Sequence, residues 1–371
     1  MKHILLLTFG LTLGISAWAQ STDHRIGTAV PFLQSYNEIT GAGMGMIGVV
    51  AAPYNYSAAM NLNPALLARE QELIGGSIIY SPWGRSIGFP DRSVIDLNVY
   101  ANKGRWGFGL NARRFNWGRN QLITRLGTPI DIERPQDNRL SGNIAYRITP
   151  KLSVGLGLQW FESEFSFFLT EDDYAKVISF AANLGLLYQS HQALNDKFRL
   201  KHNYAMSLTN LGPKISYPQP MPVATFIPAN LALGVMEGLE YQYKAEHLLS
   251  VDLAIQAQKL LVPSEGGQSE LAFLPGMLTS FTDASRQEEL RSINWHFGAE
   301  ARIHAPKQLI VAWRAGYSRG PSALIDQSLL TFGASAGLAG FRLDMSYLAP
   351  IGHNHQFQNT VRFGLSYQYK I

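Results

Sequence analysis

Cysteine is absent from all 371 residues, which excludes disulfides, thiol chemistry and a lipid-modified N-terminal cysteine. Charged residues make up only 16% of the chain, below the roughly 25% of typical soluble domains. After the N-terminus, no stretch reaches the ~18 consecutive apolar residues that indicate a transmembrane helix. The net charge of +4 is spread along the chain without a basic run, so we expect no nucleic-acid partner. These absences argue against a water-soluble enzyme and against a helical membrane protein.

The N-terminus has the pattern of a secretory signal peptide. Lys2 and His3 precede the apolar run ILLLTFGLTLGISAW, and the small residues of AWA end just before Gln20. This run is shorter than the ~20 residues that span a bilayer. We therefore predict a signal peptide over 1–19 and a mature, exported protein that begins near Gln20.

Apolar and polar residues alternate in many short segments of the mature chain. In NWHFGAEARI, residues 294–303, the odd positions are apolar and the even positions are polar or glycine. RWGFGLNAR, residues 105–113, and VRFGLSYQYKI, residues 361–371, repeat the pattern. A period of two residues places the two classes on opposite faces of a β-strand. The segments also have the length of a tilted membrane strand.

Connection lengths distinguish a membrane barrel from a soluble sandwich. The predicted strands are 72–81, 92–101, 105–116, 138–148, 151–163, 174–189, 197–211, 229–241, 246–258, 291–303, 307–318, 327–337, 341–348 and 359–371. Tight turns at 102–104, 149–150, 243–246 and 338–340 alternate with long loops at 117–137, 212–228 and 259–290. Short turns on one rim and long loops on the other are typical of outer-membrane barrels. A sheet in lipid must also close on itself, since lipid offers no hydrogen-bond partners. We predict an all-β fold, a membrane β-barrel of about 14 antiparallel strands over 71–371.

Strand alternation also assigns residues to the two faces of this barrel. Aromatic residues near strand ends are candidates for interfacial girdles, although each could equally be ordinary packing: Trp106, Trp160, Tyr188, Trp313, Tyr347 and Tyr367. Charged residues on the inward face are expected to pair across the lumen rather than to contact a substrate: Arg113, Asp252, Glu300, Arg302, Arg342, Asp344 and Arg362.

Residues 20–70 separate the signal peptide from the first strand and are predicted to form a hatch, or plug. Gly43, Gly45 and Gly48 form a literal GxGxxG sequence. A dinucleotide site would require a βαβ unit around it, and the flanking sequence does not predict one. Glycines that let the backbone approach a barrel wall closely are the better interpretation. We expect no cofactor.

Several segments resemble a known family. SAAMNLNPALLA, residues 57–68, is similar to the hatch of FadL-like barrels, and this similarity adds Asn63 and Pro64 to the candidate hatch residues. Further segments resemble PorV, a FadL-like family: NLGPKISY at 210–217, FIPANLALG at 226–234, KLLVPS at 259–264, MLTSFTDA at 277–284 and NHQFQNTVRFGLSYQY at 354–369. They occur in order across almost the whole mature chain.

The resemblance implies a function that alternation alone cannot indicate. PorV-like proteins are outer-membrane components of the type IX secretion system in Gram-negative bacteria, surrounded by outer-membrane lipid. They act as non-enzymatic carriers that bind the C-terminal signal domain of secreted cargo at the translocon barrel. They then pass the cargo to a cell-surface attachment complex with a sortase-like peptidase. No metal or cofactor is implied.

The long loops 212–228 and 259–290 are the predicted partner-binding surfaces, although they could simply cap the barrel mouth. The candidate residues are Lys214, Ile215, Tyr217, Phe226, Ile227, Leu260, Leu261, Leu271, Phe273, Leu274, Met277, Leu278 and Phe281. In the first of these loops, Pro213 ends a strand, and Pro218, Pro220 and Pro222 predict an extended arm.

Two other functions are consistent with a barrel. A FadL-type channel that takes up hydrophobic small molecules would need an apolar tunnel through lumen and hatch, whereas a carrier would concentrate apolar surface on its external loops. A barrel enzyme would need a catalytic constellation at one rim. His353 and His355 could ligate a metal, but two histidines without nearby carboxylates or cysteines are a weak signal.

Overall fold

A computed structural model describes residues 27–50, 60–68, 72–84, 91–123, 129–166, 174–216, 224–244, 247–264, 270–320, 328–351 and 360–371. The predicted signal peptide lies outside these residues. So do Tyr217, the three prolines of the predicted arm, and the histidine pair at 353 and 355.

Fourteen antiparallel strands form one closed barrel, as the alternation predicted. The barrel strands are β1 Leu73–Pro82, β2 Ser93–Lys103, β3 Trp106–Asn116, β6 Gln136–Arg147, β7 Leu152–Ser166, β8 Tyr174–Ala193, β9 Phe198–Leu211, β10 Asn230–Lys244, β11 His247–Leu260, β12 Ile293–Ala305, β13 Leu309–Arg319, β14 Leu329–Leu338, β15 Phe341–Pro350 and β16 Thr360–Lys370. Each strand pairs with its sequence neighbours, except that β3 pairs with β6. The barrel closes where β1 pairs with β16.

The two rims differ in their connections. Between β14 and β15, Ala339 and Gly340 have φ angles of 51° and 88°, as expected for a two-residue hairpin turn. The opposite rim carries the long connections, and three elements within them were not predicted. These are the hairpin of β4 (Asn120–Ile123) with β5 (Pro129–Glu133), and the helices α2 (Phe273–Thr279) and α3 (Arg286–Arg291). By the rule for outer-membrane barrels, the short turns face the periplasm and the long loops face outside.

Side-chain exposure alternates along the strands, with apolar side chains exposed on the outside and polar side chains buried inside, as in a membrane barrel. On β2, Ile95, Leu97 and Val99 are exposed, whereas Asp96 and Asn98 are buried. The predicted girdle residues Trp106, Trp313, Tyr347 and Tyr367 are likewise exposed on the outside. An apolar outer face and a polar lumen reverse the arrangement of a soluble barrel and suit lipid. Among the helices in the described part of the chain, none is long and apolar enough to cross a membrane.

The core of the molecule lies inside the barrel and is built largely by the N-terminal segment. Its short helices are 3₁₀ Pro31–Gln34, α1 Ile39–Gly43 and 3₁₀ Pro64–Leu67. One apolar cluster joins Met60, Leu66 and Leu67 of this segment to wall residues near the short-turn rim, such as Leu73 and Ala145. A second cluster joins other hatch residues to wall residues near the external rim: Val30, Phe32, Met46, Trp83, Phe115 and Phe161. Residues 27–50 and 60–68 therefore fill the lumen as a plug would, while the limits of 20–70 for the hatch stay a prediction.

Candidate functional site

Paired glycines bring the hatch directly against the barrel wall. Gly45 has a φ of +70°, a conformation that side chains other than glycine rarely adopt. It lies against Gly316 of β13, where a Cβ atom would overlap the Gly45 backbone nitrogen. That nitrogen donates a hydrogen bond to Thr331 Oγ1 at 2.7 Å. Gly43 meets Gly333 of β14 in the same way, so the hatch backbone lies directly on strands β13 and β14.

Asn63 ties the second part of the hatch to the first part and to the wall. Its Nδ2 donates to the Val49 carbonyl at 2.8 Å and to the Leu186 carbonyl at 3.2 Å. Its Oδ1 accepts from the Ala65 backbone N–H at 3.1 Å and so caps the 3₁₀ helix that begins at Pro64. A Cβ atom at Gly185 of β8 would overlap Asn63 Oδ1, so that wall position must lack a side chain.

The other predicted hatch glycine and a neighbouring tyrosine are also held by hydrogen bonds. The Gly48 N–H donates to Gln256 Oε1 of β11 at 2.9 Å. The Tyr36 hydroxyl donates to the Ile47 carbonyl at 2.9 Å. Burial, reinforced by the charge of Glu38, raises the pKa of the Tyr36 phenol well above its ordinary value, so the hydroxyl keeps its proton. The five predicted hatch residues, Gly43, Gly45, Gly48, Asn63 and Pro64, are all buried at this contact between hatch and wall.

Asp96 organises one group of charges in the lumen. Its carboxylate accepts from Arg113 Nε at 2.9 Å and from Asn37 of the hatch at 2.5 Å. Arg113 also donates to the Ser35 carbonyl at 2.8 Å. A wall carboxylate and a wall guanidinium therefore hold hatch residues 35–37 in place, and Arg139 of β6 lies 3.9 Å from the same carboxylate.

A second group of charges, the ion-pair ladder, crosses the inner wall from β9 to β15. Lys201 Nζ lies 2.5 Å from Asp252 Oδ1, and both face Gly238 of the intervening strand β10. A Cβ atom at Gly238 would overlap that carboxylate oxygen, so the glycine makes room for the pair. The ladder continues through Arg302, Glu300, Arg314, Asp344 and Arg342. The sequence prediction that inward charges pair with one another is confirmed for its five members in this ladder, Asp252, Glu300, Arg302, Arg342 and Asp344, and the pairs run along the inner wall.

Among the described strand residues, five buried inward charges were missed by the sequence prediction: Asp96, Asp137, Arg139, Lys201 and Arg314. Their positions in the alternating pattern could have identified them, because every second residue of a strand faces the same side of the sheet. Asp96, for example, stands between the outward-facing Ile95 and Leu97 in a predicted strand. Arg362, which was predicted to face inward, donates to the Tyr36 carbonyl of the hatch at 2.6 Å.

The candidate loop residues separate into two groups. The first caps the barrel mouth: Ile215, Phe226, Ile227 and Leu261 are buried, and the Phe226 carbonyl accepts from the Ala29 N–H of the hatch at 2.9 Å. Lys214 Nζ lies 4.9 Å from the centre of the Phe226 ring. Leu260, Phe273 and Met277 are half-buried. These positions therefore cap the barrel mouth, which was the alternative to partner binding that the sequence analysis left open.

The second group is exposed on the external side, and we call it the apolar patch: Leu271, Leu274, Leu278 and Phe281. Leu274 and Leu278 have 65% and 71% of their surface exposed. Their four-residue spacing places them on one face of α2. Gly276, on the buried side of the helix, packs against the Phe226 ring.

Polar contacts hold the rest of this loop in position. Lys259 Nζ binds Glu289 Oε2 at 2.5 Å and Ser292 Oγ at 2.9 Å, and it lies 5.7 Å from the centre of the Phe281 ring. Helix α3 has a complete capping box between Ser285 and Glu288. The apolar patch is therefore presented on a loop with defined internal contacts.

A comparison with protein families matches residues 18–266 to "Type IX secretion system protein PorV". The chain belongs to the PorV family. The family resemblance predicted from the sequence is thereby confirmed, and the chain is an outer-membrane protein of a Gram-negative bacterium. A comparison with curated proteins found no match.

Solved structures similar to this PorV-family chain include the toluene transporter TbuX of Ralstonia pickettii, at 14% identity and a TM-score of 0.44, with 91% of this chain and 99% of that chain covered. The toluene transporter TodX of P. putida has the same identity, TM-score and coverage. A FadL homologue of Pseudomonas aeruginosa matches at 12% identity and a TM-score of 0.43, with 93% and 99% covered. The family assignment rests on the family match, because these structural matches are distant.

Proposed function

We propose that this PorV-family protein is a non-enzymatic carrier that binds the C-terminal signal of exported cargo at the type IX translocon. It then passes the cargo to the cell-surface attachment complex, whose sortase-like peptidase performs the chemistry. The family match supports the secretion context. The apolar patch supports binding of a protein at the external face.

The observation that carries the proposal is the exposure of Leu274 and Leu278 on α2. The buried side of this helix packs against the Phe226 ring. Exposed apolar side chains grouped on one surface mark interaction sites. A helix already fixed by its loop loses less entropy on binding than a disordered one does. The patch therefore suits the apolar face of a folded signal domain.

The lumen supports protein carriage over small-molecule uptake. Hatch side chains pack against the inner wall in two apolar clusters, and the ion-pair ladder lines the wall from β9 to β15. A small pocket between α1 and the wall is lined in part by Glu38, Arg342 and Asp344. A hydrophobic ligand would have to pass these charges and displace the hatch, which makes a FadL-type channel the weaker alternative.

The test combines L274S and L278S in one variant and purifies it from native outer membrane. We expect reduced recovery of the translocon barrel and of secreted proteins that share a C-terminal domain, because the variant removes the most exposed part of the patch. The matched control is L290S, which makes the same change at an exposed position on α3 outside the patch. Unchanged cargo recovery and secretion in the double variant would contradict the assignment of the patch. Repeated isolation of the wild-type barrel alone, with bound lipid, would contradict the carrier function itself.

A further inference from the structure

The rim formed by the short turns carries an arc of basic side chains, which we call the basic rim: Arg105, Arg147, Lys151, Arg199 and Lys370. They stand at the short-turn ends of β3, β6, β7, β9 and β16, which belong to one continuous part of the barrel wall. Arg147 is half-buried and the other four are exposed. The short turns of an outer-membrane barrel face the periplasm, so the basic rim is a periplasmic surface.

Strand register assigns the basic side chains to the inward face of the wall. Lys370 pairs with Leu73, and Arg147 pairs with Ser153. Both partners are buried inside the barrel, and paired residues of neighbouring strands point to the same side. Lys151 stands two residues before Ser153 and therefore has the same parity.

The other two members of the basic rim have the same parity. Arg105 stands two residues before Gly107, where a Cβ atom would overlap the Leu67 carbonyl oxygen of the hatch. Arg199 stands two residues before Lys201, which is buried in the lumen and binds Asp252. The basic rim therefore surrounds part of the periplasmic mouth of the barrel.

Aromatic residues occupy the alternating, outward positions beside the basic rim. Trp106, Tyr146, Phe198 and Tyr369 each neighbour one of its members in the sequence. Trp106 and Tyr369 have 46% and 60% of their surface exposed. Outward aromatic rings at a barrel end form the girdle that meets lipid headgroups. The basic side chains are thus directed to the aqueous mouth, on the opposite face from the lipid.

The positive charge of the basic rim is not neutralised by ion pairs among the described residues. Glu240 pairs with Arg199 in the register of β9 and β10, and Glu72 and Asp196 are exposed on the same rim. Arg147 Nη1 is buried without a hydrogen-bond partner among the described residues. Further lysines at short turns add positive charge: Lys197, Lys244 and Lys307. A surface with an excess of one sign of charge attracts a partner of the opposite sign.

We propose that the basic rim binds an extended acidic segment of a soluble periplasmic protein. From β16 to β9 the arc crosses seven strand pairs, which corresponds to about 34 Å at a strand spacing of ~4.8 Å. An extended segment of about ten residues has this length. Its carboxylates accept charge-assisted hydrogen bonds from the guanidinium and ammonium groups of the rim. This interaction is separate from cargo binding at the apolar patch.

The test measures binding of a fluorescent glutamate oligomer of about ten residues to the full mature chain in phosphatidylcholine nanodiscs, using fluorescence anisotropy. We expect binding that weakens as the salt concentration rises, because salt screens exposed charges. The double variant K151E/R199E should weaken binding by roughly tenfold, because two attractive contacts become repulsive. K151Q/R199Q removes the same charges without reversing them and should weaken binding by a smaller factor.

The matched control is R286E/R319E, which makes the same change in net charge at exposed positions on the external side. It should bind the oligomer as the wild type does. Circular dichroism and electrophoretic heat modifiability check that every variant keeps the folded barrel. If K151E/R199E does not fold, K151Q/R199Q provides the comparison.

Equal affinity of the wild type and the rim variants would overturn the proposal. An equal loss of affinity in R286E/R319E would also overturn it, because net charge alone would then account for binding. A parallel measurement in nanodiscs with phosphatidylglycerol tests the lipid alternative. Enrichment of that lipid by the wild type but not by K151E/R199E, without binding of the oligomer, would assign the rim to lipid headgroups instead. None of these outcomes depends on cargo carriage.

Discussion

At the scale of single residues, glycine determines how closely the hatch meets the wall. Alternation predicted that inward strand positions would be polar or glycine, and Gly185, Gly316 and Gly333 conform to it. The sequence does not indicate which hatch atom fills the space at each glycine, because that contact joins residues more than a hundred positions apart. The pairing of Gly45 with Gly316 is therefore a result of the structure alone.

The first prediction concerns Gly316. G316A should destabilise the folded barrel by about 1–3 kcal/mol, because the new methyl group meets hatch backbone that cannot move aside as a side-chain tip could. The measurement is the free energy of unfolding from guanidinium titration. G142A is the matched control, since a Cβ atom at this exposed position has its nearest neighbour, Leu110 Cδ2, at 3.8 Å. Equal stability of the two variants would show that the hatch does not lie tightly on β13.

At the scale of elements, strands were predictable and loops were not. Each strand repeats a period of two residues imposed by contact with lipid outside and lumen inside, so all fourteen barrel strands could be read from the sequence. The loop 259–290 lacks such a period. Its helices α2 and α3 depend on local caps and on contacts such as Gly276 against Phe226. For the same reason, exposed Leu278 and buried Leu261 could not be told apart in advance.

The second prediction concerns the ion-pair ladder, which links strands β9 to β15 from inside. E300Q should cost about 3–5 kcal/mol of stability, because it leaves the buried Arg302 and Arg314 without a shared carboxylate. E164Q, which weakens a partly exposed pair with Lys176, should cost less than about 1 kcal/mol. Unfolding titrations of both variants provide the comparison. If E300Q were as stable as E164Q, the ladder would not hold the wall together.

At the scale of the whole molecule, the hatch occupies the lumen, and the proposed carrier function therefore uses the outside of the barrel. The hatch contacts the wall through backbone at Gly45, through Asn63 and through the Asp96 charge group. Releasing it would break all three contacts at once. In the described part of the chain, the surfaces that a partner can reach without displacing the hatch include the external apolar patch and the membrane-facing wall.

The third prediction tests whether the hatch stays in place while the protein works. Because the chain has no cysteine, a single introduced thiol reports its own surroundings. In secreting cells, L66C should resist a membrane-impermeant maleimide, since Leu66 is fully buried between hatch and wall. L278C, on the exposed face of α2, should react readily and serves as the reference for labelling. Comparable labelling rates at the two positions would mean that the hatch opens during secretion. The lumen would then be a possible route for cargo or small molecules.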